Sequence, residues 1–121
     1  EIANSEWTFG TGKSIGNQST RTYKIELFNF TGFNDSEGCL LFGGTSRYVS
    51  AVVPFSTADG TQLNATTSEL IFHLDGANTF TADRGFIEIS FINTTEIRGF
   101  ISAGSGDENF VEGFFSVLIC N

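Results

Sequence analysis

The sequence predicts a single all-β domain, either an antiparallel sandwich or a barrel of about 8–10 short strands. Helical signals are nearly absent, because no window of about 11 residues keeps an apolar stripe at helical spacing. Phenylalanine, isoleucine, threonine, valine and glycine are abundant instead, and these residues are typical of strands and turns. Turn signals recur at intervals of about 8–12 residues, as they do in antiparallel β domains. A chain of 121 residues has room for one domain, which we place at 1–121.

The turn signals divide the chain into strand-sized segments. Gly10–Thr20 contains mostly small and polar residues, so we expect a mobile loop there. The expected strands are Glu6–Phe9, Thr22–Phe30, Cys39–Phe42, Tyr48–Phe55, Glu69–Leu74, Thr79–Ala82, Gly85–Ile92, Ile97–Ala103 and Phe110–Cys120.

The last three segments predict a meander of antiparallel strands joined by short turns. Alternation in the first of them places Ile87, Ile89 and Phe91 on one face. The same reasoning applied to the next two strands adds Ile101 and Phe115. We therefore expect Ile89, Phe91, Ile101 and Phe115 to be core residues. The final strand is apolar on both faces toward its end, which indicates a central or covered strand.

The two cysteines, Cys39 and Cys120, allow two interpretations. They lie far apart, so they form no Cys-x-x-Cys redox or zinc motif. One histidine and two cysteines also fall short of the about four ligands that a zinc site needs. The first interpretation is a disulfide in an oxidising compartment, and the second is a pair of buried thiols in a reducing one. Because chain termini fray, a penultimate cysteine fills a core poorly, which favours the disulfide.

The charge balance excludes two classes of partner. The chain has 14 acidic against 6 basic residues, and its formal net charge is −8. Nucleic acid and anionic membrane surfaces both demand a basic patch. No apolar run reaches the roughly 18 residues that a transmembrane helix needs. We therefore expect no nucleic acid partner and no transmembrane segment.

Nothing in the sequence predicts an enzyme or a cofactor. The one histidine, His73, falls on the polar face of a strand by alternation, so we expect it to be dispensable. The chain has no nucleophile elbow, no zinc-protease motif and no phosphate-binding loop. Its many acidic residues make chance carboxylate pairs common, and no feature marks one as a glycosidase pair.

Oxygen-rich turns are the only candidates for calcium ligation. Asp35 and Glu37 lie in one such turn, and Asp107 and Asn109 lie in another. Neither turn has the spacing of an EF-hand, so we expect ordinary turn chemistry and no bound metal.

Asn-x-Ser/Thr sequons are more frequent than the composition predicts by chance. They carry glycans if the protein passes through a eukaryotic secretory pathway, and they are polar turn and strand residues if its source is bacterial. The sequons begin at Asn17, Asn29, Asn34, Asn64 and Asn93.

The aromatic residues indicate where a partner binds. Phe28, Phe30 and Phe33 lie close together around a glycine, and with Trp7 they form the expected interaction surface. Carbohydrate binding is an alternative that requires two or three exposed rings on one face. The candidate rings are Trp7, Tyr23 and Tyr48. A small β-barrel that holds an apolar ligand is a further alternative.

Few residues protect the edges of the expected sheet. Lysine and proline usually do so, and the chain has only Lys13, Lys24 and Pro54. Either the sheet closes into a barrel, or a partner or a second copy covers an edge.

The C-terminal third carries a family-like pattern. Gly85-Phe86-Ile87-Glu88-Ile89 is followed by Ile97-Arg98-Gly99-Phe100-Ile101 and then by Val111-Glu112-Gly113-Phe114-Phe115. With Trp7-Thr8-Phe9 near the start and Cys39 in mid-chain, this layout resembles small secreted or lipid-anchored envelope domains of Bacteroidetes, a family of unknown function. The resemblance implies an all-β module exposed at the cell envelope, and it supplies no catalytic residues.

We therefore expect a non-catalytic extracellular or cell-surface module that works as a structural or interaction subunit of a surface assembly. The expected partners are another protein or further copies of the chain, with a glycan as the alternative.

Overall fold

A computed structural model describes residues 1–3, 7–29, 39–40, 47–74 and 78–120. Within these ranges 64% of the residues lie in strands and 2% in helix, which confirms the all-β prediction. The strands are β1 (Thr11–Asn17), β2 (Thr22–Phe28), β3 (Tyr48–Pro54), β4 (Thr61–Asn64), β5 (Ile71–His73), β6 (Thr79–Thr81), β7 (Arg84–Ile92), β8 (Glu96–Ser105) and β9 (Asn109–Cys120).

The strands form one curled, open sheet, a half-barrel, in the order β4-β7-β8-β9-β1-β2-β3-β5-β6. All neighbouring strands are antiparallel except β1 and β9, which run parallel. The predicted meander is present as β7–β8–β9, and its last strand is central, between β8 and β1. The meander therefore forms one half of the sheet, and the β1–β2–β3 strands form most of the other half.

The core lies on one face of this sheet. Ile89, Ile101 and Phe115 are buried, as the alternation predicts. Ile2 and Trp7, which precede β1, belong to the same buried apolar cluster. Burying an aliphatic or aromatic side chain of this size stabilises the fold by about 1.5–3 kcal/mol. The N-terminal residues therefore complete the core that the strands begin.

Phe91 is the one expected core residue that the structure leaves half-buried. The register of β7 against β8 shifts between Ile89 and Phe91, because a β-bulge interrupts the pairing there. An extra residue in one strand reverses the faces that follow it. Phe91 consequently lies opposite Arg98, whose guanidinium is 5.1 Å from the centre of the Phe91 ring.

The expected mobile loop Gly10–Thr20 is wrong, because most of it is strand β1. β1 pairs along its whole length with β2, and Ser14 and Ile15 also pair with β9. A Cβ on Gly12 would overlap the Glu26 carbonyl oxygen. Small residues therefore allow β1 to lie between two neighbouring strands. A segment of small residues has the composition of a loop, which explains the wrong prediction.

The remaining differences between prediction and structure are local. Strand β4 was not expected, because Thr61–Asn64 is short and has one apolar residue. Trp7–Phe9 is not a strand, and Glu6 lies outside the described residues. Cys39 and Leu40 form a helical turn, whereas the rest of the expected strand Cys39–Phe42 lies outside the described residues.

The edges of the sheet are short. The outermost strands are β4, with 4 residues, and β6, with 3. Beyond β4, the edge of β7 is occupied, because Gly60 N donates to Ile89 O at 2.7 Å and Ala65 N donates to Gly85 O at 2.9 Å. Short edge strands of this kind limit unwanted pairing without lysine or proline.

Cys39 and Cys120 form a disulfide, with 5.6 Å between their Cα atoms. The disulfide of the first interpretation is therefore confirmed. The bond ties the connection between β2 and β3 to the end of β9. Closing a loop of 81 residues contributes roughly 4 kcal/mol in the chain-entropy model.

Candidate functional site

The outward face of the meander carries a row of phenylalanines, Phe86, Phe100 and Phe114, which we call the aromatic row. Phe100 and Phe114 are directly opposite in the β8–β9 pairing, and their ring centres are 4.8 Å apart at a steep angle. Phe86 lies diagonally across β7–β8, with its ring centre 6.2 Å from that of Phe100. Aromatic pairs at such distances attract each other by about 0.5–1.5 kcal/mol. The three side chains therefore form a continuous apolar strip across three strands.

Phe114 is the exposed end of the row. It is 83% exposed, although it lies in the middle of the central strand β9. The expectation that β9 is central is correct, but nothing among the described residues covers this side chain. Since the opposite face of β9 carries the core residues Val111, Phe115 and Val117, the strand is apolar on both faces.

Polar side chains border the row. Ser102 Oγ donates to Glu112 Oε2 at 3.1 Å, and Arg98 forms a two-pronged ion pair with Glu96, at 2.7 and 3.1 Å. Gln62 and Asn64 of β4 are exposed beside the β7 end of the row. The surface thus has an apolar centre and a polar rim, which is the general arrangement of an interface.

A small cavity lies next to the row, where β1 and β9 separate. Its volume is about 110 Å³, and Phe9, Thr11 and Phe114 are among its lining residues. Thr11 Oγ1 is buried and has no hydrogen-bond partner among the described residues. A buried hydroxyl without a partner costs about 1–3 kcal/mol. The cavity is therefore large enough for one additional side chain.

A polar cluster lies on the other half of the sheet. Glu26 is within 3.8 Å of Lys13 Nζ and 3.9 Å of Lys24 Nζ, and both Lys13 and Glu26 are buried. His73 Nε2 is 2.8 Å from Ser50 Oγ, and the His73 ring is stacked on Tyr48 with 4.0 Å between ring centres.

Burial dominates the electrostatics of this polar cluster. It lowers the pKa of His73 below its ordinary value of 6.5, and the charge of Lys24 lowers it further. Burial also raises the pKa of Tyr48, and the Glu26 carboxylate adds to that effect. Ser50 is only 3% exposed, and its hydroxyl lies within hydrogen-bond distance of the imidazole. The arrangement links β2, β3 and β5 across the sheet.

The expected interaction surface differs from the aromatic row. Trp7 is buried in the core, where its ring Nε1 donates to the Arg47 carbonyl oxygen at 3.2 Å. Phe28 is fully buried and lies against the Tyr48 ring. These two residues are therefore wrong as an exposed patch, because both anchor the fold. Phe30 and Phe33 lie outside the described residues.

Asp107 and Asn109, the two candidate calcium ligands that the structure describes, lie in different environments. Asn109 is buried, and its Oδ1 accepts a hydrogen bond from Ala3 N at 2.8 Å, so it holds the N-terminal residues. Asp107 is exposed in the β8–β9 turn. Asp35 and Glu37 lie outside the described residues. Within the described ranges, no group of three or more His, Cys, Asp or Glu side chains is placed to hold a metal ion.

The described sequon asparagines all lie at exposed positions. Two of them organise turns, because Asn17 Oδ1 accepts from Ser19 N at 2.9 Å and Asn93 Oδ1 accepts from Thr95 N at 2.8 Å. Asn34 lies outside the described residues. The exposed sequon residues are Asn17, Asn29, Asn64 and Asn93.

The aromatic row was missed because its members alternate with core residues and lie in three different strands. Only the pairing register shows that Phe100 and Phe114 are neighbours. One feature of the sequence could have indicated the row: Phe114 is a large apolar residue on the face of β9 opposite to the core.

Comparison of the chain with family models, with curated proteins and with solved structures gives no match. The structure has no helix in its described part that is long and apolar enough to cross a membrane. The fold defines the protein as an all-β, disulfide-closed half-barrel.

Proposed function

We propose that the chain is a non-catalytic module of an exported assembly and that the aromatic row is its contact surface. The observation that carries the proposal is the 83% exposure of Phe114 in a central strand. When one face of an antiparallel sheet forms the core, the other face usually presents polar side chains to water. Three phenylalanines occupy such positions here, and an exposed apolar patch of this kind is typical of an interaction site.

The cavity beside Phe114 supports a protein partner. Binding energy at interfaces is concentrated in a few aromatic residues and in the pockets next to them. Phe114 offers a ring to the partner, and the adjacent cavity of about 110 Å³ accepts a side chain in return. The acidic rim around Glu112 favours a partner surface that carries basic side chains.

The disulfide supports export. Disulfides persist in oxidising compartments and are rare where thiols are kept reduced. An extracellular or cell-surface location, as in the Bacteroidetes envelope domains that the sequence resembles, is part of the proposal. The partner is then another envelope protein or a further copy of the chain.

Sedimentation velocity tests the proposal. The purified chain is run alone at high concentration and mixed with a solubilised envelope fraction from the cells that make it. The variants are Phe114→Ser and, as a matched control, Phe80→Ser, since Phe80 is 44% exposed in β6 and lies outside the row. We expect a larger species with the parent chain and the control, and a monomer with Phe114→Ser. A parent chain that stays monomeric in both conditions, or a Phe114→Ser chain that still associates, contradicts the proposal.

Carbohydrate binding has one observation in its favour, because the rings of the row lie beside the exposed amides of Gln62 and Asn64. Rings stack on the apolar face of sugars, and amides bond their hydroxyls. Retardation of the chain in gels that contain soluble polysaccharides, lost in Phe114→Ser, would favour this second function. The apolar-ligand alternative has no such support, since the buried apolar side chains pack into one core cluster.

A further inference from the structure

A second and larger cleft lies away from the aromatic row, at the end of the half-barrel where β9 stops. Its volume is about 540 Å³, within the range of small-molecule sites, about 300–1,000 Å³. The β1–β2 hairpin, the end of β3, the β7–β8 turn and the end of β9 surround it. Its lining residues include Gly16, Gln18, Arg21, Tyr23, Phe55 and Thr94.

Backbone contacts hold the walls of this cleft in place. Phe55 N donates to the Arg21 carbonyl oxygen at 2.9 Å, which joins the end of β3 to the hairpin. Ile119 N donates to Thr95 O at 2.8 Å, and the next residue, Cys120, is held by its disulfide. The cleft is therefore formed before any ligand arrives, and a preformed site loses less freedom on binding.

An aromatic pair forms one wall. The ring centres of Tyr23 and Phe55 are 4.6 Å apart. Gly16 lies opposite Tyr23 in the β1–β2 pairing, and a Cβ there would be 3.5 Å from the Tyr23 ring and 3.6 Å from the Phe55 ring. Because Gly16 has no side chain, the rings stay open to the cleft.

Arg21 gives the cleft its charge. Its guanidinium is 6.0 Å from the centre of the Phe55 ring. The ion pairs within the described ranges use Lys13, Lys24, Arg84 and Arg98, and none of them uses Arg21. No acidic side chain is among the described lining residues. Among the described lining residues, Arg21 is thus the only charged one, and it can receive an anionic group.

The backbone of Arg21 is also unusual. Its φ angle is 56°, in the left-handed region that non-glycine residues seldom adopt. Such conformations persist where the surroundings enforce them, and they concentrate at binding sites. The turn therefore sets where the Arg21 side chain leaves the backbone, next to the Phe55 ring.

We propose that this cleft binds a small organic carboxylate carried on a six-membered ring that has an apolar face. The guanidinium of Arg21 pairs with the carboxylate, since its planar fork matches the two oxygens. The rings of Tyr23 and Phe55 contact the apolar face of the ligand ring, while Gln18 and Thr94 bond its remaining polar groups. A uronic acid sugar and an aromatic acid share this chemistry.

Isothermal titration of the full chain with three probes tests the proposal. The probes are glucuronate, glucose as its uncharged counterpart, and benzoate. We expect millimolar or tighter binding of at least one carboxylate, and no binding of glucose. Binding of glucuronate alone identifies a sugar acid, and binding of benzoate alone identifies an aromatic acid. A chain that binds none of the probes, or binds glucose as well as glucuronate, overturns the proposal.

Two substitutions at Arg21 complete the test. Arg21→Gln and Arg21→Gly both remove the charge. Glycine adopts the left-handed backbone conformation without strain, so the Arg21→Gly variant is expected to fold. Each is expected to weaken carboxylate binding at least about tenfold, whereas the control Arg84→Gln leaves it unchanged. Carboxylate binding that survives both Arg21 substitutions, or falls equally with Arg84→Gln, overturns the assignment.

Discussion

His73 lies between a serine hydroxyl and a tyrosine ring, and this environment decides its protonation. The stack on Tyr48 and the contact with Ser50 Oγ at 2.8 Å shield one side of the imidazole from water. Lys24 and Lys13 place positive charge on the same half of the sheet, and Glu26 places negative charge between them. The balance lowers the pKa of His73, because burial is the largest effect and Lys24 adds to it.

We predict that His73 titrates below pH 6.5 in the folded chain. It is the only histidine, so its ring proton signals in an NMR pH titration are assigned without ambiguity. The unfolded chain then binds the proton more readily than the native chain. The free energy of unfolding should therefore fall as the pH decreases from about 6.5 toward the native pKa. His73→Gln should remove this dependence; a native midpoint at or above 6.5 would contradict the prediction.

A second prediction at the residue scale concerns Ser14, whose buried hydroxyl has no partner among the described residues. Ser14→Ala should raise the free energy of unfolding by about 1 kcal/mol, because it removes an unsatisfied polar group. Ser68 is equally buried, and its hydroxyl donates to Ala65 O at 3.2 Å, so Ser68→Ala is the matched control and should be destabilising. Denaturation in urea measures both. Equal losses in the two variants would show that Ser14 has a partner.

At the scale of strands, alternation predicted the faces of β8 and β9 correctly. It failed at Phe91, because a bulge is a pairing event that one strand does not reveal alone. It also failed for β1. This strand is packed tightly between two neighbouring strands and needs small residues such as Gly12, and a run of small residues is also typical of a loop. The disulfide was predictable because the chain has two cysteines. The aromatic row was not predictable, because it depends on the pairing register of the strands. Trp7 and Phe28 were predicted as exposed because composition does not distinguish a core aromatic residue from a surface one.

The bulge yields a contrast between Ile89→Ala and Phe91→Ala. Ile89 is fully buried, so its truncation should destabilise the chain by about 2–5 kcal/mol. Phe91 is half-buried under Arg98, so its loss should cost only about 1 kcal/mol, although its side chain is larger. Denaturant midpoints decide the order. A greater loss for Phe91→Ala would place the bulge elsewhere in β7.

Two glycines of β1 provide a matched test of its tight packing. A Cβ on Gly12 would overlap the Glu26 carbonyl oxygen and lie 2.9 Å from Val117 Cγ1, so Gly12→Ala should destabilise the chain by about 1–3 kcal/mol. At Gly16, on the same face, a Cβ has contacts of 3.5 Å or more, so Gly16→Ala should stay within about 1 kcal/mol of the parent. Similar thermal midpoints for both variants would mean that β1 is more loosely held.

For the whole molecule, the disulfide and the curled sheet act together. Cys120 ends β9 in the centre of the sheet, and Cys39 belongs to the β2–β3 connection. Reduction, or the paired substitution Cys39→Ala with Cys120→Ala, should lower the free energy of unfolding by roughly 4 kcal/mol at most. Urea unfolding with and without a reducing agent measures the difference. An unchanged midpoint would mean that the covalent link adds nothing to a fold that its sheet already determines.

Site-specific photo-crosslinking tests whether the aromatic row is a contact surface. A benzophenone-bearing phenylalanine analogue is placed at Phe114 in one chain and at Phe80 in another, and both are made in the native cells. Because Phe114 is 83% exposed and Phe80 is 44% exposed, both positions accept the larger side chain without disturbing the core. The proposal predicts a discrete cross-linked band, of protein or of a second copy, from Phe114 and none from Phe80. Cross-links from neither position, or equally from both, would contradict it.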